Sequence, residues 1–359
     1  MTSIMKKRIQ SVDILRLLFS FMVVLWHSRY LNRCSEHPLL LSDHAVEFFF
    51  LLSGYLMARQ TEKPLQGTLG KDTWAFLKKK IGSFYPVYLI SFVLNIIIRV
   101  IINRIAVSRL SFGFFLWDLL LLRETGLQGP FDTGTVIGSS WYLMAMILAM
   151  AILYPILRKK TDFYLHVIAP LTSVLIYGWF SETHGNLYYT LQFENGISLG
   201  VVRAIADISM GCFCYTLCSK LKDRKIQESV PVKTLITLCE LCCLCIIVYF
   251  SRCYSAGQTD FLCVVFIMMI LVGEFGELGF LNRFCSLVRT GWIREFSLAL
   301  FISHFTCITV VNYMNYSLSR NKTVLLYFGL AVIQAVCIVW IKKGIKYLWA
   351  LKTRKEAAG

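Results

Sequence analysis

Two side chains in the first apolar stretch have the types and spacing to do chemistry together. Arg16 and His27 lie in Ser11–Tyr30, SVDILRLLFSFMVVLWHSRY, eleven residues apart. At about 100° per residue, eleven steps return to within roughly 20° of the start. Both side chains therefore leave one helical face, roughly 16 Å apart along the axis. Arginine is a permanent cation, whereas histidine is a base whose ordinary pKa, about 6.5, suits proton transfer near neutrality. Such groups are costly at membrane depth, so they face the protein interior or a wet cavity. Two readings follow. Asp13 and Arg16 can form a buried i,i+3 ion pair, with His27 a satisfied core histidine. Alternatively, the face is a polar line through the membrane, with a cation near one surface and a general base deeper in.

Other candidates fall along the chain. Glu47 opens the second apolar run, AVEFFFLLSGYLMA, on the side where His27 ends the first. It reads either as the carboxylate that orients the imidazole and stabilises its cation, or as a rim glutamate facing water. Ser53-Gly54 interrupts that run, either for helix packing through small residues or for close approach of a ligand chain. Lys78, Lys79 and Lys80 form a cationic cluster. Trp141 and Tyr142 belong either to an interfacial aromatic belt or to a sugar-stacking surface. Arg203 and Asp207, at i,i+4 inside one apolar run, read as a structural ion pair. His304 reads by default as a satisfied core histidine. The thirteen cysteines lie mostly inside apolar runs, as in Cys239, Cys242, Cys243 and Cys245, with no histidine beside them. They read as small packing residues, and no metal site is expected.

The elements that must position these groups are membrane helices. Hydrophobic residues make up 57% of the 359 and charged residues 16%, with mean hydropathy +0.61. That is well below the share of charge, about a quarter, in soluble domains. The pattern predicts an all-α polytopic membrane protein with one membrane domain filling residues 1–359. The ten spans fall near 11–30, 45–58, 84–102, 140–157, 163–180, 199–218, 232–250, 259–273, 296–314 and 323–341. The twelve residues Ser111–Leu122 are too short to cross and suit an interfacial helix. The first span follows Lys6, Lys7 and Arg8 as a signal peptide would, but it contains Asp13 and Arg16 and lacks a small-residue cleavage site, so it is expected to stay.

Charge orients the chain. With both termini in the cytoplasm and Ser111–Leu122 outside the count of crossings, 26 of the 37 Lys and Arg fall in cytoplasmic segments and 8 in external ones. This is the positive-inside pattern. The net charge of +16 thus reads as topology and not as nucleic-acid binding; the partner it implies is the lipid bilayer.

Six segments resemble one family in order. SVDILRLLFSFMVVLWHS is similar to the Arg-then-His first helix of the acyltransferase-three family of membrane acyltransferases. VEFFFLLSGYLM resembles its acidic-x-Phe-Phe-x-x-Ser-Gly helix, and FLKKKIGSFYPVYL its basic segment ending in Tyr-Pro. SSWYLMAMILAMAILYP resembles its Trp-x-Leu helix, RAIADISMGCFCY its Arg-to-Gly helix, and SLALFISHF its late Ser-to-His element. Two departures stand out. The family's cytoplasmic Arg-x-x-Arg is Lys80-Ile81-Gly82-Ser83 here, with Lys78 or Lys79 available as a substitute, and Met144-Ala145-Met146 replaces an acidic position found in many members.

The resemblance implies a membrane O-acyltransferase in a bacterial cytoplasmic membrane. The donor would be acyl-CoA, acetyl-CoA in the first instance, reached from the cytoplasm as a co-substrate. The acceptor would be a hydroxyl of a surface glycan or glycolipid at the outer face. Within it His27 is the expected base, oriented by Glu47. Arg16, Ser53, Lys78, Lys79 and Lys80 are the expected donor contacts, and Trp141, Tyr142, Arg203 and His304 the acceptor-side residues. No metal is expected, and a homo-oligomer is compatible with the pattern. The rival reading from the same buried polar line is an exporter of small or acylated metabolites.

Overall fold

A computed structural model of the chain describes residues 9–32, 34, 40–41, 44–103, 112–127, 136–189, 192–222, 229–286, 290–314 and 318–356. The loop residues Arg33, Glu36, His37 and Asp43, together with Arg104, Arg109 and Ser111, lie outside them.

The described elements are almost all helical. In chain order they are α1 (Gln10–His27), α2 (Ala45–Ala58), α3 (Leu69–Asn103), α4 (Phe112–Leu119), α5 (Ser140–Lys159), α6 (Thr161–Phe163), α7 (Ala169–Thr183), α8 (Leu199–Lys222), α9 (Val230–Cys253), α10 (Thr259–Gly276), α11 (Leu281–Cys285), α12 (Ile293–Met314) and α13 (Arg320–Glu356). A π-helical turn, Tyr164–Ile168, joins α6 to α7. A two-stranded antiparallel hairpin, Phe193–Glu194 with Ile197–Ser198, precedes α8. Among the described residues, nine helices are long and apolar enough to cross a membrane, as an all-α polytopic membrane protein requires: α1, α3, α5, α6 through α7, α8, α9, α10, α12 and α13.

The second expected span, α2, is the exception. Its 14 residues extend about 21 Å, less than a hydrocarbon core of about 30 Å. It does not need lipid-facing length, because it is enclosed by protein: nearly every side chain from Ala45 to Ala58 is buried. Close approach to α8 explains its glycine. A Cβ on Gly54 would collide with the Ile208 carbonyl, and one on Gly211 with the Leu51 carbonyl, so two backbones meet where small residues allow it. Phe48 stacks on Phe19 of α1 at 4.3 Å, and Tyr55 on Phe275 of α10 at 3.7 Å.

Two helices outrun their expected spans by the widest margins. α3 begins at Leu69 and not near 84, because the basic stretch before the apolar run is itself helical; Pro86 sits inside it. α13 carries 37 residues, about 55 Å, so its basic C-terminal part projects well past a hydrocarbon core. α4, at eight residues and about 12 Å, cannot cross. It is tied down instead: the Tyr88 hydroxyl donates to the Asp118 carbonyl at 2.7 Å, and Arg123 Nε to Asp118 Oδ1 at 2.7 Å. The outer faces of α7 and α9 expose Val174, Leu175, Leu235 and Leu238, as lipid contact requires. Cys239, Cys242 and Cys245 share the exposed face of α9, while Cys243 turns inward.

Candidate active site

His27 is the last residue of α1, and its surroundings fix which nitrogen carries a proton. Nδ1 lies 2.8 Å from the Val23 carbonyl and 3.1 Å from Nε2 of His304. His304 Nδ1 lies 3.2 Å from the Leu300 carbonyl. A carbonyl only accepts, so both Nδ1 atoms carry hydrogens. Nε2 of His304 is then a lone pair accepting from His27 Nδ1–H. Nε2 of His27 is left as a lone pair with no hydrogen-bond partner among the described residues. Tyr30 stacks beside the His27 ring at 5.8 Å, and Phe305 meets it edge-on at 4.5 Å. The two helices that carry the pair are themselves pinned. The Tyr327 hydroxyl of α13 donates to the Val24 carbonyl at 3.1 Å, and the Ser20 hydroxyl to the Ser297 carbonyl at 3.2 Å.

The side chain bonded to His27, beside the Val23 carbonyl, is therefore that of His304, and not Glu47 as the sequence suggested. Glu47 Oε1 accepts from Arg203 Nη2, in an ion pair with both side chains buried. Trp141 lies on the guanidinium, 5.6 Å from its ring centroid, and is itself buried against α2. Asp207 accepts from the Tyr177 hydroxyl at 2.6 Å, while the nearby Arg203 cation still acts on its carboxylate. The reason is geometric. α2 and α8 pack so closely through their glycines that a carboxylate on α2 reaches Arg203 before it reaches the end of α1.

Below this level lies a cavity of about 430 Å³, within the range of about 300–1,000 Å³ usual for small-molecule sites. Among the described residues seven cations line it: Arg16, Lys63, Lys79, Lys80, Arg158, Arg294 and Lys342. Of the described lining residues, only Asp72 and Glu295 are acidic. Several of the cations are braced. Arg16 Nη1 bonds Asp13 at 3.0 Å, as one of the two sequence readings had it, Arg158 Nε bonds Asp72 at 3.0 Å, and Lys342 bonds Glu295 at 3.2 Å. Lys80 reaches inward to the Ser53 hydroxyl at 3.3 Å, and Ser53 in turn to the Met146 sulfur at 3.4 Å. Gly54 packs on α8, as the small-residue reading expected, and Ser53 lines the cavity. Asp72, Phe76, Lys79, Lys80 and Ser83 recur at helical intervals along the cavity wall because α3 is helical from Leu69. Lys78 falls on another face and is exposed.

The cavity ends at three rings. Phe49, Tyr142 and Phe301 all line it; Phe301 lies 5.2 Å from Phe49 and 5.3 Å from Tyr142, and Phe49 lies 6.2 Å from Tyr142. His304 is three residues beyond Phe301 on α12, a rise of about 4.5 Å. Tyr142 is thus at the cavity, while its neighbour Trp141 is not. The cations Lys63, Arg158, Arg294 and Lys342 carried only a topological signal in the sequence. Arg16 of α1 and Lys342 of α13 meet at this cavity, so the first helix begins and the last basic segment starts at the same end of the bundle.

The arrangement offers a cation-lined chamber with one basic nitrogen a helical turn beyond its closed end. A family model described as an acyltransferase domain matches residues 9–343, nearly the whole chain. No curated protein and no solved structure matches it.

Proposed function

The chain belongs to that acyltransferase family, and from that premise we propose that it moves an acyl group, acetyl in the first instance, from acyl-CoA to a hydroxyl of a glycan or glycolipid. On this reading the cavity end faces the cytoplasm, where acyl-CoA is found, and the His27 end faces the outer side of a bacterial cytoplasmic membrane, which the positive-inside pattern supports. Arg16, Lys79, Lys80, Arg158 and Arg294 suit the donor's phosphates, since clustered cations with guanidinium forks are the natural partners of a polyanion. The slender pantetheine arm runs along the cavity past Ser53 toward the rings.

His27 Nε2 takes the proton of the acceptor hydroxyl as that oxygen attacks the thioester carbonyl. The C–O bond forms, the tetrahedral carbon collapses, and the C–S bond breaks. The CoA sulfur leaves with the proton that His27 returns. His304 Nε2 accepts from the Nδ1–H of the imidazolium throughout, holding the ring and spreading its charge. Arg16 cannot act as a base, because it stays protonated.

The observation that carries this reading is the pairing of His27 with His304, which leaves His27 Nε2 as a basic lone pair one helical turn beyond the cation-lined cavity. Purified protein in lipid should release CoA from radiolabelled acetyl-CoA and pass the label to an added glycan acceptor or, slowly, to water. An exporter of acylated metabolites would move labelled solute across vesicles with the thioester intact, and that result would replace the reading.

A further inference from the structure

The three rings at the cavity's end bear on which acyl group the protein can use. We propose that Phe49, Tyr142 and Phe301 are its acyl-size determinants: the acyl group reaches His27 only by taking the place of one of these rings, so the ring volume sets the length of chain accepted. This inference rests on the acyl-transfer reading of the same cavity.

Non-bonded carbons touch at about 3.5–4.0 Å. Ring centroids 5.2–6.2 Å apart therefore leave no opening for a thioester. Yet the rings separate the cavity from the base. α12 carries Arg294, Leu298 and Phe301 on the cavity wall. The next turn of the same helix carries His304 and Phe305. The space beyond is filled as well, since Phe305 and Tyr30 pack against the His27 ring and Phe305 fills the position where Gly138 would carry a Cβ. The movable volume between chamber and base is thus the rings themselves.

The three are not equally free. The Tyr142 hydroxyl contacts the Met146 sulfur at 3.6 Å, and the Tyr142 ring packs on Phe50 at 4.4 Å. Phe49 and Phe301 carry no polar group to hold them, and Phe49 is only partly buried. Those two are the rings that swing aside. A vacated phenyl gives room for two carbons easily and for six only if the neighbours move too. One methylene in an apolar pocket commonly changes kcat/KM about tenfold or more. A gate of this kind therefore favours acetyl over longer chains and places little demand on the CoA end.

The test is a donor series of acetyl-, butyryl- and hexanoyl-CoA, measured for kcat/KM and for Kd in wild type, Phe301→Ala, Phe49→Ala and the milder Phe49→Leu. Wild type should favour acetyl. Each alanine variant should raise the hexanoyl-to-acetyl ratio of kcat/KM at least tenfold, with Phe49→Leu giving a smaller rise, and Kd should stay near wild type because the nucleotide is gripped elsewhere. An unchanged ratio in active variants would overturn the size filter and leave the acyl-transfer reading standing. Absence of thioester cleavage in wild type with every donor would overturn both.

Discussion

Glu47 offers a sharp test of how the buried polar residues divide their work. It was the sequence's choice to orient His27, but it bonds Arg203, and both are buried, at 1% and 0% exposure. Removing one partner of a buried pair commonly costs about 3–5 kcal/mol, while replacing both by apolar residues of similar size is often neutral. Asp207, four residues along α8 from Arg203, remains as a nearby carboxylate, so the low end applies: about 3 kcal/mol for Glu47→Ala. In a large domain each kcal/mol is worth about 2 °C of melting temperature, so the variant should melt several degrees lower in detergent. Glu47→Leu combined with Arg203→Met should recover most of that loss. Turnover per folded molecule should hold up in Glu47→Gln. Thermal unfolding followed by size-exclusion chromatography reads stability, and CoA release per folded molecule reads turnover. A Glu47→Gln protein with wild-type melting but turnover lowered a hundredfold would refute the assignment and return Glu47 to the imidazole.

Three further outcomes follow from the geometry. His304→Ala removes one of the two acceptors of His27 Nδ1–H and leaves the Val23 carbonyl; at about 1–1.5 kcal/mol for a hydrogen bond, kcat should fall about five- to tenfold and the pH profile should move, with donor KM nearly unchanged. Unchanged kcat would separate the two histidines. Neutralising Lys79 and Lys80, which line the cavity, should weaken acyl-CoA binding, more so at low salt, whereas Lys78→Ala should not; equal effects from all three in equilibrium binding would contradict the register of α3. Burial pushes the Glu124 carboxyl, outside the membrane helices, up from 4.5 to about 7, against the help of the Ser198 hydroxyl and Arg123. The fold thus binds this proton more tightly than the unfolded chain does, so its contribution is greatest at low pH. It is lost as pH rises from about 4.5 through about 7, by about 3 kcal/mol in all. Glu124→Gln should flatten that part of the stability profile, and an unchanged slope in unfolding measured from pH 4.5 to 7.5 would contradict it.

Residues that signal through local period were legible in the sequence. Arg16 and His27 share a face because eleven residues close three helical turns, Asp13 reaches Arg16 because i,i+3 neighbours touch, and α4 is short because its apolar run is short. What the sequence hid depends on contacts between distant segments. His304 meets His27 across 277 residues, because α1 and α12 pack together; its own local pattern is that of any core histidine. Glu47 looked like a partner for His27 because both sit at the same end of neighbouring runs. The glycine contact of α2 with α8 decides otherwise. Arg158, Arg294 and Lys342 read as charges that orient a membrane protein, and they do line one end of the bundle. Their convergence on one cavity is a property of the packed helices.

The assignment of His27 as the base is tested most directly by His27→Ala in purified protein, with acyl-CoA binding and acyl transfer measured on the same preparation. Donor Kd should stay within about twofold of wild type, because the cations at the cavity are untouched, while label transferred from acetyl-CoA should fall by about two to four orders of magnitude. Transfer at near wild-type rate by folded, donor-binding His27→Ala would contradict it.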